Sequence, residues 1–172
     1  SMIESGETRL NIEAVDPEEI VAGCVERIAP VAERREVTVR RQPPGGPPET
    51  RVAADQARLG QALLNLAHNA VKYSDHGGEV RLSWSPIDGR VRFSVADDGI
   101  GVPDSHQARI FERFYKVDRS RARDADGEQL SGSAGLGLAI VRHIAEAHGG
   151  AVGLESTDGV GSTFWIEVPR AA

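Results

Sequence analysis

Residues 55–74, DQARLGQALLNLAHNAVKYS, read as one helix with a narrow polar stripe along it. At roughly 100° per residue, Gln61, Asn65, Asn69 and Lys72 share one face, while Leu59, Leu63, Leu66, Ala70 and Tyr73 form an apolar face beside them. Leu64, Ala67 and Val71 make the other flank apolar as well. The stripe is then a polar seam between two packed surfaces. Asparagine is a poor helix former, so two of them in one seam call for a reason. A solvated face is one. A ligand is the other, because two amide oxygens one turn apart, with an ammonium one turn on, suit a small hard cation that carries phosphates.

Working outward toward the N-terminus, Asp55 caps this helix, and Arg51–Ala53 reads as a short strand leading into it. QPPGGPPET (42–50) can be neither helix nor central strand and is a surface loop. Val37–Arg41 reads as a strand, and Asp16-Pro17 as an N-cap with proline in the first turn of a helix reaching about Arg35. Ile20, Cys24, Ile28 and Val31 recur there at helical spacing, and Pro30 is a candidate kink. TRLNIEA (8–14) alternates as a strand does. Residues 1–7 read as an expression remnant or linker, ahead of a single domain over 8–170.

Toward the C-terminus, Glu79–Ser85 and Arg90–Ala96 form a hairpin about Pro-Ile-Asp-Gly. Val91, Phe93 and Val95 share one face of the second strand, and the period of two assigns Asp97 to that face too. A carboxylate on the core side is costly unless donors await it. DDGIGVP (97–103) continues badly as a strand, and its glycines suit close backbone approach. An aromatic-basic patch, IFERFYK (110–116), precedes a charged stretch from Asp118 to Gln129, which is expected to be a mobile loop. GSAGLGL (132–138) opens a third helix that stops at Gly149-Gly150, and its free amides suit an anion. Ala151–Ser156 and Ser162–Val168 close the chain as a second hairpin.

Composition narrows the partners. At 172 residues, 40% hydrophobic and 27% charged, the chain suits one soluble domain with a full core. A net charge of -6 argues against a nucleic-acid binder. The single cysteine, Cys24, excludes an intrachain disulfide and a multi-thiolate metal site, and is read as a packed side chain in a cytoplasmic protein. No signal peptide or bilayer-spanning run is evident in the sequence.

Four segments in order, NLAHNAVKY, DDGIGVP, IFERFYK and GLGLAIV, resemble the catalytic and ATP-binding domain of bacterial sensor histidine kinases. That domain belongs to the superfamily shared with type II topoisomerases and heat-shock chaperone ATPases. The resemblance implies an α+β fold: a two-layer sandwich of a mixed, mostly antiparallel sheet against three helices, of the Bergerat type. It implies ATP and Mg2+ as ligands and a mobile ATP lid over about residues 102–134. Asn65 and Asn69 match the asparagine box that holds Mg2+, Lys72 the phosphate-facing lysine, and Tyr73 a side chain near the nucleotide. Asp97 matches the aspartate that accepts the adenine amino group. Gly99 and Gly101 match the first glycine box, Phe111 and Phe114 the phenylalanine box, and Gly135, Leu136 and Gly137 the second glycine box. Arg113 and Lys116 are candidates to reach the terminal phosphate.

Two positions depart from that pattern. Ser133 stands where many relatives have glycine, though it could itself donate to a phosphate. Asp98 stands where asparagine is common, and its charge is expected to lower nucleotide affinity modestly.

Superfamily members that hydrolyse ATP carry a glutamate where this chain has Asn65. An amide is no general base, so transfer to an acceptor is favoured over hydrolysis. None of His68, His76, His106, His143 and His148 lies in the family's acceptor motif. The acceptor is therefore expected on a separate dimerisation segment of a homodimeric parent, served by a response regulator, with this fragment monomeric. The resemblance leaves open whether the parent is anchored in the inner membrane. Two other readings stand beside it: a non-catalytic nucleotide-sensing module, and an anti-sigma-type serine kinase on the same fold.

Overall fold

The computed structural model describes residues 9–115 and 137–172. Its elements are β1 (Glu13–Val15), α1 (Pro17–Arg34), β2 (Thr38–Arg41), β3 (Val52–Ala54), α2 (Gln56–Tyr73), β4 (Glu79–Ile87), β5 (Arg90–Asp97), α3 (Asp104–Gln107), α4 (Gly137–Ala147), β6 (Ala151–Thr157) and β7 (Gly161–Pro169). Five strands form one sheet in the order β2-β4-β5-β7-β6, with only β2 and β4 parallel. Helices α1, α2 and α4 pack on it through a common apolar core that includes Ile28, Leu63, Leu66, Phe93, Val141 and Ile166.

The expected single sheet is corrected in one respect. β1 is Glu13–Val15 rather than residues 8–14, and it pairs with β3 in a separate two-stranded sheet. The main sheet reaches this piece through the Val52–Arg170 bridge alone. Alternation is a local signal and cannot say which neighbour a strand will find.

Elsewhere local chemistry set the boundaries. Asp16 accepts the Glu18 N–H at 2.9 Å, and Pro17 occupies the first turn of α1. Pro30 does not end this helix. Glu26, whose carbonyl loses its helical donor there, is exposed, so the lost bond leaves no buried polar group. The buried stripe runs through Ile20, Val21, Cys24, Ile28 and Ala32, with Val31 only half-buried beside it. The first hairpin turns on Asp88-Gly89 alone, and β4 continues through Pro86. Proline is tolerated there because β2 covers only residues 79–82 of β4. The proline-rich loop lies along the remaining edge: a Cβ on Gly45 would stand 1.8 Å from the Trp84 carbonyl oxygen, and one on Gly46 2.7 Å from the Pro86 ring.

The face of the sheet away from the helices is polar. Arg92 lies over the Trp165 ring at 4.0 Å and pairs with Glu167 at 2.5 Å. One short helix, α3, had no counterpart in the sequence reading, since four residues give no period to detect.

Candidate functional site

Two structural units meet at the C-terminal end of α2. The first is the helix. Asp55 caps it by accepting the Arg58 N–H at 3.1 Å, and its other oxygen accepts the Asn11 N–H at 3.0 Å. Along α2, Leu59, Leu63, Leu66 and Ala70 are buried, whereas Gln61 is exposed and Asn65, His68, Asn69, Lys72 and Tyr73 are half-buried. The polar seam therefore exists, and it is partly desolvated rather than fully washed by water. Burial holds the His68 imidazole below its usual pKa.

Four carbonyls end α2 without helical donors, and each finds a different partner. Ser74 Oγ donates to the Ala70 oxygen at 2.8 Å, and the Ser74 N–H to the Val71 oxygen at 3.3 Å. Arg35 Nη2 donates to the Lys72 oxygen at 3.0 Å, and the Ile100 N–H to the Tyr73 oxygen at 3.4 Å. The last of these ties the helix to the second unit, the turn that follows β5.

That turn is built around Asp97. Val91, Phe93, Val95 and Asp97 are buried in alternation, as the period of two requires, and Asp97 is 5% exposed. Its Oδ1 accepts the Gly99 N–H at 2.9 Å, and the Ser162 backbone also donates to the carboxylate. Burial pushes its pKa up to about 6, against those two bonds, which pull it down. The nearest cation is spent elsewhere: Arg81 Nη1 and Nη2 each donate to an oxygen of Asp98 at 3.1 Å. Asp98 is thereby held below the usual carboxylate range, and its charge is matched. The Arg81 partner of Asp98 was not part of the sequence reading.

Only glycine fits at the two positions that the first glycine motif singled out. A Cβ on Gly99 would lie 2.2 Å from the Tyr73 carbonyl oxygen. Gly101 has φ +71°, and its Cβ would lie 2.2 Å from the Thr157 oxygen. The chain then descends along the end of β6, where the Val102 N–H donates to Ser156 Oγ at 2.7 Å and Gln107 donates to the Ser156 oxygen at 3.2 Å.

The third helix arrives beside the seam. Asn65 Nδ2 donates to the Gly137 oxygen at 3.4 Å, which joins the asparagine motif to the start of α4. That bond commits the amide nitrogen and leaves Oδ1 as the end a cation could use. Lys72 Nζ lies 5.2 Å from the Tyr73 ring centre. Phe111 is half-buried and edge-on to Phe164 at 6.1 Å, but Phe114 is 62% exposed, with Arg113 over its ring at 5.3 Å and φ +64°. The two phenylalanines therefore do different things. Lys116, Ser133, Gly135 and Leu136 lie outside the described residues.

The sequence reading missed several participants. Arg35, Arg81, Ser156, Ser162 and His148 all support the site from other elements. Only Ser162 had a signal, since it follows Gly161, where a Cβ would lie 2.3 Å from the Asp97 oxygen.

The half-buried amide seam of α2 and the buried, glycine-framed carboxylate of Asp97 are the two features that comparison with known proteins bears on. The histidine kinase-, DNA gyrase B- and HSP90-like ATPase family matches residues 54–172, and the chain belongs to that family. Within it, the chain stands with the sensor histidine kinases, as their catalytic domain. The sensor-like histidine kinase SenX3 of Mycolicibacterium smegmatis is 37% identical over 170 residues, covering 99% of this chain and 42% of SenX3. A crystal structure of full-length ShkA in complex with AMPPNP superposes with a TM-score of 0.82 at 40% identity, covering 99% of this chain and 33% of that one. The mycobacterial sensor histidine kinase MprB gives a TM-score of 0.72 at 31% identity, covering 92% of this chain and 97% of that one. The chain thus spans well under half the length of SenX3. No helix among the described residues is long and apolar enough to cross a membrane.

Proposed function

We propose that this domain binds Mg-ATP and passes the γ-phosphoryl group to a histidine on a separate dimerisation segment of a two-component sensor kinase. The observation that carries the reading is Asp97. It is a buried carboxylate with two backbone donors and, among the described residues, no ion pair of its own, set two residues from a glycine where a side chain is excluded. An acceptor-only group in that setting suits the exocyclic amine of adenine.

The donor set fits the metal. Asn65 and Asn69 offer neutral oxygens one turn apart on a half-buried helix face, the hard ligands that Mg2+ takes in company with phosphate. When bound, Mg2+ would neutralise charge on the phosphates. Lys72 adds a cation one turn along, and Asp97 and the glycine bend orient the base at the opposite end. By the resemblance, Arg113, Lys116, Ser133, Gly135 and Leu136 would serve the phosphate end, with Gly137 at the helix entry. The span 102–134 would serve as the lid; its described part, through Tyr115, is anchored at Ser156.

No carboxylate occupies the place of Asn65, so the domain lacks a base for water, and the acceptor supplies the nucleophile. A response regulator would then take the phosphoryl group from that histidine. The test is reconstitution with the parent's dimerisation segment and γ-labelled ATP. An acid-labile, base-stable phosphoprotein is expected. An acid-stable product would favour the serine-kinase reading, and no product despite Mg-dependent binding would leave a sensing module.

A further inference from the structure

Arg35 is the most deeply buried cation among the described residues and has the least to show for it. It stands at the C-cap of α1, is 6% exposed, and makes one side-chain hydrogen bond, from Nη2 to the Lys72 oxygen at 3.0 Å. Its Nε and Nη1 are buried and have no partner among the described residues. An apolar side chain here would avoid the desolvation cost of a guanidinium. Stability alone therefore accounts poorly for arginine here.

The bond it does make is unusually placed. Arg35 follows the end of α1 and reaches the last turn of α2, so the cation sits between the negative ends of two helices. Of the four carbonyls that end α2, those of Val71 and Tyr73 have neutral donors at 3.3 and 3.4 Å, close to the outer limit of a hydrogen bond. Ser74 Oγ at 2.8 Å belongs to the same turn and moves with it. Among the described residues, Arg35 supplies a short, charge-assisted tie to these carbonyls from another element. Helix ends fray where their carbonyls are poorly held, and this end carries Lys72 and Tyr73.

We propose that Arg35 is a positioning residue for nucleotide binding: by clamping the Lys72 carbonyl, it fixes the backbone from which Lys72 reaches the phosphates. This rests on the Mg-ATP reading above. Arg35 does not touch the nucleotide. Its influence runs through one peptide unit and is lost when Lys72 has no ammonium to place.

A double-mutant cycle on this chain, read by calorimetry with AMPPNP and Mg2+, tests it. Arg35→Met is expected to weaken binding about tenfold, the equivalent of losing one charged hydrogen bond. Lys72→Ala weakens it further, and the double variant should be no weaker than Lys72→Ala alone, within about twofold. Wild-type affinity in Arg35→Met, or losses that add in the double variant, would overturn the proposal while leaving the nucleotide reading intact. Absence of binding by the wild type would overturn both. Should Arg35→Met not fold at the assay temperature, Arg35→Gln, which removes the charge, goes through the same cycle with the same two outcomes.

Discussion

Arg81 grips Asp98 through both oxygens at 3.1 Å, while Asp97, the residue before it, is held among the described residues by the backbone donors of Gly99 and Ser162. Two adjacent carboxylates thus have separate fates. The exposed one is neutralised by Arg81, and the buried one is the group proposed above to meet the base.

Arg81→Leu should therefore weaken ATP-analogue binding about two- to fivefold. It frees the Asp98 charge beside the site and raises the Asp97 pKa, which Arg81 helps to hold down. Titration calorimetry on the variant checks this, and restoration by Asp98→Asn in the same background would assign the loss to charge.

Asp97 gives a pH dependence with a definite sign. Its folded pKa of about 6 exceeds the ordinary value of 3.8, so the folded chain holds more protons than the unfolded one between those values. Stability contributed by this group falls as pH rises through that window and stays at its lower level above it. Asp97→Asn removes the penalty, and the ligand-free domain should gain on the order of 1–3 kcal/mol at pH 8 with a flatter slope from pH 4 to 6. Adenosine binding should fall at least tenfold in the same variant. Urea melts across pH and adenosine titrations measure the two halves, and a variant that bound adenosine normally would make Asp97 purely structural.

Asn69→Ala removes one of the two amide oxygens offered to the metal. Affinity for AMPPNP in Mg2+ should drop about tenfold or more, with little change in EDTA. Equal losses in both conditions would place Asn69 on the nucleotide rather than on the cation.

His148 tests the scaffold instead of the chemistry. Its Nδ1 donates to the Ile144 oxygen at 2.8 Å and its Nε2 accepts the Asp55 N–H at 3.1 Å, so one buried neutral ring links the end of α4 to the cap of α2. His148→Ala should cost about 1–2 kcal/mol in chemical denaturation by leaving the Asp55 N–H unpaired, since the Ile144 oxygen keeps the backbone N–H of residue 148 at 3.1 Å. A change below about 0.5 kcal/mol would show that water replaces the ring.

The central helix, its polar seam, the inward turn of Asp97 and the two glycine positions were all legible in the chain as written. Each follows from a repeat of 3.6 or 2, or from a residue that alone tolerates its backbone. The aspartate caps of α1 and α2, the proline entry to α1 and a hairpin turn that contains Asp88-Gly89 are equally local. Gly99 and Gly101 were readable as close-approach points, although what they approach, the Tyr73 and Thr157 carbonyls, was not.

Three decisions belonged to the folded chain. β1 joined β3 rather than the main sheet, Arg81 took up Asp98, and Arg35 closed the end of a helix 37 residues away. Sequence determines such local geometry because periodicity and steric limits act within a few residues. Which carbonyl a buried guanidinium finds, or which acid an arginine neutralises, depends on surfaces brought together only by packing, and no pattern along the chain encodes that distance.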